Sequence, residues 1–87
     1  MKLFLVHVGF YDAEIGIYEL HSNLLVAAED ARSAKEQVQQ KPVFINKKMH
    51  IDAIQELTNV DGYDIILTKS LNQAENQVFN YSQIKEL

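Results

Sequence analysis

The chain has 87 residues, 47% of them hydrophobic, no cysteine and a formal charge of -4, which suits one domain built around one core. The missing cysteines exclude disulfides, thiolate metal centres, iron–sulfur ligation and cysteine nucleophiles. Twelve acidic residues outnumber eight basic ones, and the basic residues are scattered apart from Lys47-Lys48, a distribution unsuited to gripping a phosphate backbone. No nucleic-acid partner is expected.

Residues 2–9 alternate Leu3, Leu5 and His7 against Phe4, Val6 and Val8, so both faces are mostly apolar and a central, doubly covered strand is expected. This apolar run is broken by His7 and is far shorter than the roughly 20 helical residues a bilayer crossing needs. With no signal-peptide pattern at the start, a cytoplasmic location without membrane attachment is expected. Residues 9–16, GFYDAEIG, combine two glycines, two aromatics and two carboxylates, a composition suited to a surface loop that could hold a ligand. Residues 17–28 read as a second strand, with Ile17, Glu19, His21, Asn23 and Leu25 on one side and Tyr18, Leu20, Ser22, Leu24 and Val26 on the other.

A helix is expected from Glu29-Asp30 through Gln40, with Asp30 as N-cap and Ala31, Ala34 and Val38 as a narrow buried stripe. Pro42 marks its end, and residues 43–45 suit a short edge strand. From His50, Ile51, Ala53, Gln55 and Leu57 alternate with Asp52, Ile54, Glu56 and Thr58, and the turn Asn59-Val60-Asp61-Gly62 leads into residues 63–68 as a β-hairpin. The polar stretch after Ser70 ends in Val78, Phe79, Tyr81, Ile84 and Leu87, suited to a short strand, a helical turn, or both. The expected fold is α+β, ordered β-β-α-β-β: a mainly antiparallel sheet with one helix on one face. Residues 1–68 form the domain, and 69–87 form an appendage to it or an interface segment.

Two motifs carry potential chemistry. In Glu19-Leu20-His21, residues two apart on a strand share a face, so the carboxylate can orient or charge the imidazole. His50-Ile51-Asp52 repeats that logic in reverse order. If the two strands lie near each other, four proton-transferring or ligating groups converge. Glu19, His21, His50 and Asp52 are therefore the candidate catalytic residues, with His21 and His50 the candidate metal ligands. His7, on a strand expected to be buried, is read as a hydrogen-bonded core or interface histidine. Asp12 and Glu14 share a face if their segment is extended, and are otherwise solvated loop charges. Three glycines cannot assemble a phosphate loop or a dinucleotide fingerprint, no serine lies in a nucleophile elbow, and no cofactor is expected.

Through Tyr18-Glu19-Leu20-His21, His50-Ile51-Asp52 and Thr58-Asn59-Val60-Asp61-Gly62-Tyr63, residues 1–68 resemble a bacterial family catalogued only as a domain of unknown function. Its pattern is a hydrophobic strand leading to Glu-x-His, a helix, then His-x-Asp before a Val-Asp-Gly-Tyr hairpin. This chain departs from it at Ser22, where members often carry an acidic residue, and at Ile54, near which they often carry an aromatic. The resemblance implies no activity. Longer members that hold two related copies imply that a single copy pairs with itself as a homodimer.

The residues thus point to a small cytoplasmic binding or assembly module, non-catalytic and homodimeric, whose partner is a second copy together with a small molecule or another protein. The rival expectation is a small enzyme or metal-dependent protein working through His21 and His50, oriented by Glu19 and Asp52.

Overall fold

The structure, a computed structural model, describes residues 1–87. Strand β1 (Lys2–Tyr11) is central, flanked by β2 (Glu19–Ala28) and β3 (His50–Leu57), both antiparallel to it, in the order β2-β1-β3. The position of β1 follows from its sequence, because only a middle strand buries both an apolar core face and its own ladder edges. Phe4, Val6 and Val8 of β1 meet Val26 and Ala28 of β2, Ala34 and Val38 of helix α1 (Ala31–Gln39), and Met49. Each large side chain fully buried here contributes about 1.5–3 kcal/mol relative to exposure.

Helix α1 packs across the inner face of the sheet. Its small Ala34 and its Val38 are fully buried, as expected for the apolar stripe, whereas Ala31 is exposed. Asp30 is the N-cap: its side chain accepts a 2.8 Å hydrogen bond from the Ser33 backbone N–H. That bond, first among its causes, holds the Asp30 carboxyl below its ordinary value. No helix is long and apolar enough to cross a membrane.

The α+β class and the antiparallel sheet with its covering helix are present, and several boundaries differ from expectation. β1 continues through Gly9 and Phe10 to Tyr11, and β2 begins only at Glu19, leaving Ile17 94% exposed in the connection. Residues 43–45 form no edge strand; they lie in a short helix α2 (Pro42–Asn46). Proline at the first helical position has its φ preset and lacks only an N–H that needs no partner there, and the turn lets Phe44 pack against the core.

Strict alternation also fails in β3. His7 pairs with Ala53 but Val8 pairs with Ile51, so Asp52 is the extra residue of a β-bulge. The bulge lets Ile51 and Ile54, three positions apart, both pack against the core. The hairpin is confined to two-residue strands β4 (Asn59–Val60) and β5 (Tyr63–Asp64). Asp61 and Gly62 both have positive φ, 54° and 86°, which matches the turn that best joins two right-twisted strands. The C-terminal segment holds a helix α3 (Tyr81–Lys85), closed at its start by a reciprocal Asn80–Gln83 capping box, with no buried residue.

Candidate functional site

The face of the sheet opposite α1 carries the chemistry. Glu19 and His21 project from β2, where alternation sends Leu20 and Ser22 inward. His50 and Asp52 project from β3, where their two-residue spacing sets them on the same side and the bulge falls at Asp52. Gly9 of β1 lies between them, paired across the ladders with His21 on one side and His50 on the other.

The four residues singled out by their motifs therefore meet. His50 Nε2 donates to Glu19 Oε1 at 2.8 Å and lies 3.2 Å from Asp52 Oδ1. His21 Nδ1 lies 3.3 Å from Asp52 Oδ2, and His21 Nε2 lies 3.8 Å from Glu19 Oε1. Each carboxylate thus addresses both imidazoles. The side chains keep 33% to 49% of their surface in water, so the ion pairs are solvent-screened and each is worth at most about 1 kcal/mol.

Three further residues belong to this patch. His7, taken from its neighbours as a core or interface residue, is half-buried on the open face, its ring stacked on His21 with centroids 4.9 Å apart and planes 5° apart. Its Nδ1 donates to Asn23 Oδ1 at 2.8 Å, which fixes the His7 ring. Donor atoms of His7, His21 and Asp52, and separately of Glu19, His50 and Asp52, lie within 4.8 Å of one another.

The third residue is Gly9. A Cβ built there would meet Glu19 Oε1 most closely, then His50 Nε2 at 2.6 Å and Asp52 Oδ2 at 2.8 Å. Three polar side-chain ends therefore converge on one point directly above this backbone position. The signal for Gly9 was available in the sequence, since a glycine inside a strand often marks a close approach, but the neighbouring Gly16 drew it into a loop. His7 and Asn23 carried the signal of face-sharing alone.

The GFYDAEIG segment is built differently from an extended carboxylate pair. Asp12 organises a turn, its carbonyl accepting from the Ile15 and Gly16 backbone N–H groups and its side chain from that of Glu14. Lys47 sits 3.9 Å from Asp12 and over the Phe10 ring. Asp12 and Glu14 therefore form no acid/base pair, and a shallow cavity between Tyr11–Ala13 and Asn46–Lys48 shares no residue with the imidazole–carboxylate patch. That patch is an open surface.

No curated protein and no solved structure matches the chain. A family model described as Domain of Unknown Function (DUF1543) matches residues 16–67, a span that includes both motifs and the whole connection between them. The chain belongs to that family.

Proposed function

We propose that this protein is a small, non-catalytic binding and assembly module that works through the open face of its sheet, pairs with a second copy there, and acts in the cytoplasm. The observation that carries the reading is the convergence of Glu19, His50 and Asp52 over Gly9, with the stacked His21 and His7 beside them, on the face that α1 leaves uncovered. A face that served only to meet water would have no need to order five ionisable side chains around a strand glycine. Binding is favoured over catalysis because the groups are screened by solvent, where fixed dipoles and charges lose most of the advantage they have in a closed site.

Assembly is favoured by the apolar surround. Leu3, Leu5 and Leu57 are only half-buried and Leu25 is 60% exposed. A two-fold pairing would cover the same patch on both copies. Sedimentation velocity over a concentration series tests this, with Leu25→Arg as the disrupting variant. Wild-type protein is expected to pass from monomer to dimer as concentration rises, with the variant held monomeric. A wild-type chain that stays monomeric throughout would remove assembly from the reading.

One observation favours a second reading, in which His21 and His50 transfer protons: both imidazoles address the same Glu19 oxygen, at 3.8 and 2.8 Å, within reach of one small substrate. Joint titration of the two rings in an NMR pH series, together with turnover lost in His50→Ala, is what that reading expects.

A further inference from the structure

We infer that the cluster is a binding site for one divalent transition-metal ion of the zinc class, held over Gly9 by Glu19, His50 and Asp52, with the fourth position open to water. The inference rests on the proposal that the open face is a binding surface, and it names the ligand of that surface.

The donor set points to this class of ion. An imidazole with two carboxylates suits zinc and its neighbours, whereas calcium and magnesium prefer all-oxygen shells. An anion is disfavoured by the carboxylates, and a large organic ligand by the lack of a cavity around them. The spacing agrees as well. A tetrahedral site with bonds of ~2.0–2.1 Å sets its donors ~3.3 Å apart. Here His50 Nε2 lies 2.8 Å from Glu19 Oε1 and 3.2 Å from Asp52 Oδ1, and one donor atom from each of the three residues lies within 4.8 Å of the others.

Gly9 supplies an independent observation. Oxygen and nitrogen atoms of Glu19, His50 and Asp52 already surround the place where any other residue would put its Cβ, so the space at the centre of the donors exists only because residue 9 has no side chain. Metal binding there displaces the proton that His50 Nε2 donates to Glu19, so that Nε2 ligates while Nδ1 carries the ring hydrogen. His21 acts as a positioning residue, its Nδ1 3.3 Å from Asp52 Oδ2 and its ring stacked flat on His7, which is tethered to Asn23. Such supporting contacts are a usual companion of ligating carboxylates.

The test is calorimetric titration of zinc chloride into the full chain, with the imidazole signals of His7, His21 and His50 followed by NMR. The expected result is one ion bound per chain, with the His50 signals shifting most. His50→Ala and Asp52→Asn are each expected to weaken binding at least ~10-fold, whereas Asp12→Asn, which alters a carboxylate outside the cluster, leaves it unchanged. Amide spectra of the variants establish that each is folded. Absence of zinc binding, or binding equally strong in all three variants, overturns the inference. If zinc fails to bind while the chain still self-associates through the open face, the metal inference falls alone. If the face responds to neither zinc nor a second copy, the binding reading falls with it.

Discussion

Substituting Gly9→Ala separates stability from binding at a single atom. The added Cβ would lie 2.6 Å from His50 Nε2 and 2.8 Å from Asp52 Oδ2, where ordinary contact begins at 3.4 Å. The two side-chain ends must therefore retreat by about 0.8 and 0.6 Å, and Glu19 Oε1, which is nearer, by more. All three are the tips of partly exposed, flexible side chains, so the backbone need not move. Metal–donor distances tolerate deviations of only about 0.2 Å, so the same retreat disperses the ligand set. Alanine in a strand interior gains about 0.5–1 kcal/mol over glycine through backbone entropy, while the screened His50–Glu19 contact it disturbs is worth at most about 1 kcal/mol. Urea unfolding of the metal-free protein should thus change by less than about 1 kcal/mol in either direction. With zinc at 100 times its dissociation constant, the wild-type chain should gain about 2.7 kcal/mol of unfolding free energy, and Gly9→Ala should gain almost none. A Gly9→Ala protein that binds zinc as tightly as wild type would refute the reasoning, because the space above residue 9 would then have no part in the site.

Two other expectations follow from the fold. Asp30 keeps its charge to lower pH in the folded chain than in the unfolded one, because the Ser33 backbone N–H favours the carboxylate. Its contribution is therefore fully present above its unfolded value of 3.8 and is lost as pH falls through the lower folded value. Asp30→Ala should lower the unfolding midpoint at neutral pH, with the difference from wild type shrinking in acid below that value; a difference independent of pH would show that the cap is not the carboxylate. Removing the residues after Ser70 should leave the unfolding transition cooperative and its midpoint nearly unchanged, since Leu71 is 100% exposed and α3 buries nothing. Loss of cooperativity in circular dichroism would mean that the C-terminal segment completes the core.

The parts of the fold that depend on local pattern were readable in the sequence. Leu3–Val8 identified the central strand, although only its Phe4, Val6 and Val8 face is covered and Leu3, Leu5 and His7 stay half-buried on the open one; Asp30 marked a helix start and Asp61-Gly62 a tight turn, because periodicity, capping and positive φ are each set by a few adjacent residues. Glu-x-His and His-x-Asp were likewise legible as same-face pairs. Their meeting was not, because it depends on β1 lying between β2 and β3 and on their register, which are non-local facts. Asp52 is a case in point: two-residue alternation placed Ile54 beside it, and only a bulge lets Ile51 and Ile54 both face inward. Val43-Phe44-Ile45 reads as a strand by side-chain type, yet Pro42 and the demand of Phe44 for the core turn it into a helix. Tertiary contact overrides so short a propensity signal.

The departures from local rules in this chain fall in one place. Gly9 weakens a central strand, the bulge at Asp52 gives up ladder pairing, and His7, His21, His50, Glu19 and Asp52 occupy a sheet face that apolar or uncharged side chains would fill at no loss. Each departure lowers or leaves unchanged the stability of the domain: a strand glycine is unfavourable by about 0.5–1 kcal/mol, and exposed ion pairs return at most about 1 kcal/mol apiece. Folding therefore gives no reason for the three to coincide. A domain that departs from consistent local preferences at a single patch is expected to use that patch, and here the glycine clears the space while the two flanking strands supply Glu19 on one side and His50 and Asp52 on the other. Filling the space above Gly9 would leave a sheet at least as stable and a site that no longer closes on a common centre.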